Sequence, residues 1–195
     1  MESLPFHNSI SLIVSCMYAG KSTELIRRAI IYHELGLKVL YINSALDTRP
    51  SPNTNNSNFS THNKSITNIP FDSVKLLNLD DYKIILNHDV IAIDEAQLFN
   101  SLLQFCLHAC EKEKKIVIVA GLNGDYLRRP FGQVCDLIPY CDSITKLHAF
   151  CIPCKNRGVI EPAHFTKRVI ESKETVLIGD RESYVPVCRS CFNDV

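Results

Sequence analysis

The tripeptide Gly20-Lys21-Ser22 lies directly between an apolar run, Ile10-Ser11-Leu12-Ile13-Val14, and a helix-like stretch, Thr23-Glu24-Leu25-Ile26-Arg27-Arg28. A strand that turns through Gly-Lys-Ser into a helix is a phosphate-binding device. Backbone N–H groups and the helix N-terminus attract an anion, Lys21 supplies a fixed positive charge, and Ser22 reaches a magnesium ion. The predicted ligand is a nucleoside triphosphate. The whole loop reads Ser15-Cys16-Met17-Tyr18-Ala19-Gly20-Lys21-Ser22, with Ser15 where the pattern G-x-x-x-x-G-K-[ST] has its first glycine. That glycine serves a tight backbone turn, and a serine fits there when its φ is negative. For the tripeptide alone, a chance surface turn is the competing reading; the flanking strand and helix signals favour the phosphate loop.

The chain continues in the same alternation. Leu25, Ile26, Ala29, Ile30 and Leu35 form an apolar stripe at helical spacing that stops at Gly36, and Lys38-Val39-Leu40-Tyr41-Ile42-Asn43 reads as a buried strand. Strand, helix, strand opens a parallel α/β sheet. Asp89-Val90-Ile91-Ala92-Ile93-Asp94-Glu95 is a short strand ending in two carboxylates, and Ile116-Val117-Ile118-Val119-Ala120-Gly121 is another ending at a glycine. Between them, residues 99–115 have helical periodicity and a basic C-terminal end. Residues 50–68 are mostly Pro, Asn, Ser and Thr, a composition that predicts a flexible loop. Past residue 150 come paired cysteines, scattered prolines and short β-prone runs. The expected organisation is a P-loop α/β domain over 1–149, with a parallel sheet flanked by helices, and a small cysteine-rich domain over 150–195.

Composition narrows the function. Lys and Arg number 21, as do Asp and Glu, which argues against a broad electrostatic surface for nucleic acid or an anionic membrane; selectivity must come from a pocket. No apolar run approaches the ~20 residues needed to span a bilayer, and Met1-Glu2-Ser3-Leu4-Pro5 lacks the layout of a secretory signal. An intracellular, cytoplasmic protein is expected. The nine cysteines are odd in number, and a phosphate loop implies a reducing compartment, so metal ligation is the better use for some of them.

Asp94-Glu95 sits at the C-terminal end of a parallel strand, where open α/β sheets gather their ligand groups. Beside a phosphate loop, an acidic residue there holds magnesium and an adjacent carboxylate takes a proton; Glu95 then serves as base for an attacking hydroxyl. A merely solvated strand end is the alternative. Cys151-x2-Cys154 and Cys188-x2-Cys191, separated by 33 residues, offer four thiolates to a tetrahedral, structural zinc ion; redox pairs or inert thiols are the competing uses. Cys16, Cys106, Cys110, Cys135 and Cys141 read as core residues. In residues 121–132, glycines, aromatics and two arginines follow a strand. Aromatics there either sandwich a base or anchor the loop to the core.

Taken together, these residues resemble the type II thymidine kinases found in animal cells, many bacteria and large DNA viruses. The resemblance spans residues 9–191. It rests on Met17-Tyr18-Ala19-Gly20-Lys21-Ser22-Thr23-Glu24-Leu25, Asp47-Thr48-Arg49, Ile93-Asp94-Glu95-Ala96-Gln97, Gly124 with Arg129-Pro130-Phe131-Gly132, Thr166-Lys167-Arg168, and Tyr184 before the second cysteine pair. It implies a RecA-like sheet and transfer of the ATP γ-phosphate to the 5′-hydroxyl of thymidine or deoxyuridine, giving dTMP for nucleotide salvage. Glu95 would be the general base. ATP and Mg2+ would be held by residues 15–22 (Ser15, Cys16, Met17, Tyr18, Ala19, Gly20, Lys21, Ser22) with Asp47, Thr48, Arg49, Asp94 and Gln97. The zinc-anchored segment would act as a lasso whose backbone at Thr175-Val176-Leu177-Ile178-Gly179 reads the thymine edge. Met17, Leu122, Phe131, Thr166 and Tyr184 would line the nucleoside pocket, with Tyr126 stacking on the base where relatives have phenylalanine. A homotetramer with dTTP as feedback inhibitor is also implied. The chain departs from the family pattern at Ser15, at Asn123 for a common aspartate, and at Leu98 for an aromatic.

Two other classes compete with a deoxynucleoside kinase. One is a nucleotide-responsive regulatory protein whose altered phosphate loop binds ATP without turnover. The other is a P-loop ATPase acting on DNA through its zinc knuckles, against which the zero net charge weighs.

Overall fold

The computed structural model describes residues 7–47, 68–170 and 183–194. Thr48, Arg49, the predicted loop up to residue 67 and Thr175-Val176-Leu177-Ile178-Gly179 lie outside the described residues. The chain runs through β1 (Ser9–Ser15), α1 (Lys21–Glu34), β2 (Val39–Ser44), β3 (Asp72–Leu76), β4 (Val90–Ile93), α2 (Leu102–Leu107), β5 (Ile116–Leu122) and β6 (Ser143–Lys146). These six strands form one sheet in the order β3-β2-β4-β5-β1-β6, with every pairing parallel. Every residue of β1, β2, β4 and β5 is buried, as strands covered on both faces must be.

Side-chain alternation sorts the core into two layers. Leu12, Val14, Ile42, Ile91, Ile93, Val117 and Val119 face α2 and the segment before it, including Phe99, Leu102 and Phe105. Ile13, Val39, Tyr41, Val90, Ala92, Ile116, Ile118 and Ala120 face Leu25, Ile26, Ala29 and Tyr32 of α1. The expected sheet flanked by helices forms from these two sets.

Helix α1 ends at Leu35 and Gly36, whose φ of 87° lets Leu37 N donate back to Tyr32 O at 3.1 Å. Leu35, expected on the buried stripe, is 55% exposed because it lies beyond the last turn; Tyr32 fills the core instead. The helix expected over 99–115 starts only at Leu102, and from His108 to Lys112 it widens into a π turn. Strand β6 is held at the sheet edge by buried Arg28, which bonds Glu24 at 2.7 Å and the Thr145 hydroxyl at 2.8 Å.

The cysteine-rich segment forms two small hairpins, each leading into a knuckle. β7 (Ala149–Phe150) pairs antiparallel with β8 (Pro162–Ala163) around α3 (Ile152–Asn156), and β9 (Phe165–Arg168) pairs antiparallel with β10 (Tyr184–Val187), which runs into α4 (Arg189–Asn193). Of the five cysteines expected in the core, Cys106 and Cys110 are buried there. Cys16 is buried in the cysteine-rich cluster instead, and Cys135 and Cys141 are only half-buried, each donating to a carbonyl, with Cys141 packed against the core.

Candidate active site

β1 delivers the chain to the phosphate loop at the C-terminal edge of the sheet. Ser15, the last residue of β1, has no positive φ, and its hydroxyl donates to the Leu147 carbonyl at 2.6 Å. The tight turn is displaced along the loop, to Tyr18 at φ 63° and Gly20 at φ 81°. Ser15 therefore costs the loop no strain, and the structural reason for reading it as impaired disappears. Gly20 leads into α1 without a side-chain cap, which leaves the first-turn N–H groups directed at the loop. Buried Lys21 reaches back over the loop, its Nζ donating to Cys16 O at 2.8 Å.

The carboxylates meet this loop because β4 and β1 are parallel and only β5 separates them, so their C-terminal ends share one edge. Asp94 is 1% exposed. It accepts from the Tyr41 hydroxyl at 2.6 Å and from Glu95 N at 2.9 Å, and it is hydrogen-bonded to the Ser22 side chain. Burial, and then the neighbouring Glu95 charge, push the Asp94 carboxyl up to about 6 against the pull of those hydrogen bonds. Ser22 and Asp94 thus present neighbouring oxygen donors that could hold a divalent cation beside the loop.

A folded-state value above the ordinary 3.8 means that the stabilising contribution is present below 3.8 and lost as pH rises through about 6. Asp94→Asn is therefore expected to raise the melting temperature of the metal-free protein by about 3–8 °C at pH 8, with the gain closing below about pH 4. The same variant is expected to weaken magnesium-dependent nucleotide binding. Scanning calorimetry at the two pH values, with nucleotide titrations, checks both.

Glu95 itself is held in the left-handed region at φ 48°, a conformation that persists only where its surroundings impose it. Gln97 supplies that constraint: its Nε2 donates to Glu95 Oε2 at 2.6 Å, while its Oε1 accepts from Leu122 N at 2.9 Å. Gln97 thus ties the end of β4 to the end of β5. Gly132, at φ 56°, brings the following loop down on this point, where a Cβ would stand 2.4 Å from Gln97 O. Gly132→Ala is expected to cost about 2–4 kcal/mol of stability, from left-handed strain plus the backbone collision. Urea unfolding measures it.

The loop after β5 is organised by Asp125, whose carboxylate accepts from Leu127 N at 2.8 Å, Arg129 N at 2.9 Å and Arg129 Nε at 2.9 Å. This Asx turn places half-buried Tyr126 against β9, with the Arg168 guanidinium 3.7 Å from its ring centroid. Arg168 also donates to the Tyr184 hydroxyl at 2.7 Å. Arg128, at φ 64°, lies 4.3 Å from the Phe192 ring, so the loop is clamped to the cysteine-rich segment twice. Phe131 is half-buried beyond this turn. Asp47, 3% exposed at the same sheet edge, accepts from Asn43 at 3.1 Å.

The expected site residues therefore gather in three linked groups. Ser22, Asp94, Glu95, Gln97 and Leu122 are joined by the bonds above; Cys16, which accepts from Lys21, and Met17 meet the segment that carries Thr166; Tyr126 and Tyr184 share Arg168. Tyr41, Asp125 and Arg168 had no assigned role from the sequence. Tyr41 is hidden in an apolar strand run, whereas Asp125 before Tyr-Leu-Arg-Arg carries an Asx-turn signal that was there to be read.

Cys151, Cys154, Cys188 and Cys191 are buried with their sulfurs all within 4.8 Å of one another. Cys154 Sγ stands 3.8 Å from Cys188 Sγ and 3.6 Å from Cys191 Sγ. A tetrahedron of thiolates about 2.3 Å from a central ion has edges of about 3.8 Å, so the set fits a four-sulfur metal site. Among the described residues no other group of three or more such ligands converges, and no helix is long and apolar enough to cross a membrane.

The family model for thymidine kinase matches residues 8–192. Thymidine kinase 1 of Dictyostelium discoideum is 38% identical over 185 residues, covering 94% of this chain and 77% of that protein. A thymidine kinase of Myxoma virus (strain Uriarra) is 36% identical over 188 residues, covering 96% and 97%. One of Oryza sativa subsp. japonica is 40% identical over 200 residues, covering 100% and 70%. On the match across nearly its whole length, the chain belongs to the thymidine kinase family and is a phosphate-transferring enzyme.

Proposed function

We propose that the enzyme transfers the γ-phosphoryl group of ATP to the 5′-hydroxyl of thymidine or deoxyuridine, giving dTMP or its uracil counterpart in nucleotide salvage. The observation that carries this reading is the bond between Ser22 and Asp94, which joins the phosphate loop to the carboxylate pair. Lys21 and the N-terminal amides of α1 grip the β- and γ-phosphates. Magnesium would be held by Ser22 and Asp94 and would offset the phosphate charge; the resemblance adds Asp47, Thr48 and Arg49 to the residues that bind ATP and magnesium. Glu95, fixed by Gln97, takes the hydroxyl proton as the new oxygen–phosphorus bond forms and the bond to the bridging oxygen of ADP breaks. Tyr126 offers its ring to the base; Met17, Leu122, Phe131, Thr166 and Tyr184 line the nucleoside pocket, and residues 175–179 read the thymine edge.

Residues 1–149 act as the nucleotide-binding domain and 150–195 as a zinc-pinned lasso. Zinc suits the four-thiolate donor set, closed and structural. A cytosolic homotetramer inhibited by dTTP is part of the same proposal, and the balance of 21 basic and 21 acidic residues argues against a nucleic-acid or membrane partner. Phosphorylation of the four deoxynucleosides and deoxyuridine by the zinc-loaded protein tests the assignment. Product from thymidine and deoxyuridine is expected, and equal use of all substrates overturns it.

A further inference from the structure

Two hydrogen bonds tie the phosphate loop to the cysteine-rich segment. Cys16 Sγ donates to Ala163 O at 3.4 Å, and Met17 N donates to the Thr166 hydroxyl at 3.0 Å. Cys16 is 3% exposed and packs in one apolar cluster with all four ligand cysteines, against which Tyr18 and Ala19 also lie. Each tether leads to a different knuckle. Ala163 pairs with Ala149, on the strand entering Cys151, and Thr166 pairs with Pro186, on the strand entering Cys188. On the other side, Lys21 Nζ is bonded to Cys16 O, so displacement of Cys16 moves the phosphate-binding ammonium. Tyr18, with its positive φ, adds a strained residue that the surroundings must hold in place.

We propose that Thr166 and Cys16 are positioning residues for the phosphate loop, so that the metal-bearing segment forms one wall of the triphosphate site as well as the nucleoside lasso. Triphosphate binding and metal retention are then thermodynamically coupled, each strengthening the other by the same factor. The inference rests on the triphosphate reading of the loop, and the two can fail separately. Failure of the intact zinc protein to bind nucleotide defeats that reading; nucleotide binding that ignores the metal defeats only the coupling.

The test uses full-length, zinc-loaded protein without nucleoside. The rate of zinc release to a chromophoric chelator is read with and without a saturating non-hydrolysable ATP analogue and magnesium. At least about fivefold slower release with the analogue is expected, a factor typical of coupled sites. Thr166→Val is expected to weaken analogue binding about five- to tenfold, as loss of one buried hydrogen bond would, and to abolish the protection of zinc. Thr166→Ser keeps the acceptor oxygen and is expected to restore both. Equal release rates in the wild-type protein, or a folded Thr166→Val that binds the analogue as tightly as the wild type, overturns the proposal. Should Thr166→Val fail to fold, the wild-type release rates decide alone.

Discussion

Glu95→Gln is expected to lower kcat by about 10²–10⁴-fold while the dissociation constants for ATP and thymidine change little. The glutamine has nearly the same shape and its oxygen still accepts from Gln97 Nε2, the bond that positions residue 95 at 2.6 Å. What it lacks is the capacity to take a proton from the attacking hydroxyl. The loss therefore falls on the chemical step, and single-turnover kinetics separates it from binding. A residue 95 that served only as scaffold would show a change in affinity or stability with kcat largely preserved. Gln97→Leu is a useful companion measurement, because it removes the link from Glu95 to Leu122 N, and with it the constraint on the base, while the carboxylate itself is kept.

The second large effect concerns the four cysteines. Structural zinc sites of this donor class contribute about 10–16 kcal/mol of apparent binding free energy at neutral pH, and that energy is also folding energy. The cluster they complete is small: Cys16, Ala149, Ala163, Val187 and the ligands themselves make up its buried set. So few side chains do not hold two short hairpins together unaided. Replacing Cys188 and Cys191 together by serine is expected to abolish bound zinc and expose the amides of 149–168 and 183–194 to solvent exchange. The inner strands β1, β4 and β5 stay protected. Elemental analysis and hydrogen exchange read the two outcomes on one sample. Retained protection in 149–168 without metal would show that the segment folds on its own packing.

How much of this was legible in the sequence depended on burial. β1, β2, β4 and β5 stood out as apolar runs because the sheet covers both of their faces. β3 and β6 did not, since edge strands such as Asp72-Ser73-Val74-Lys75-Leu76 and Ser143-Ile144-Thr145-Lys146 are half exposed and carry no apolar run. The phosphate loop, the carboxylate pair and the cysteine knuckles were readable because their chemistry demands local spacing. Contacts between distant segments carry no such spacing. Nothing in the local pattern links Tyr41 to Asp94 or Arg168 to Tyr126, and the backbone angle and Leu147 partner that make Ser15 fit are equally absent from it. Leu35 misled for a local reason: the apolar spacing runs one residue past Glu34, the last residue of the helix, onto the cap that leads into Gly36.

The central claim is that a triphosphate gripped at Lys21 lies beside Glu95 with the acceptor hydroxyl between them. A crystal structure of the zinc-loaded protein with thymidine, magnesium and a non-hydrolysable ATP analogue tests it most directly. The account predicts the thymidine 5′-oxygen within hydrogen-bond reach of the Glu95 carboxylate, about 2.6–3.2 Å, and in line with the γ-phosphorus. A 5′-hydroxyl turned away from Glu95, or a γ-phosphate bound away from Lys21, would contradict it.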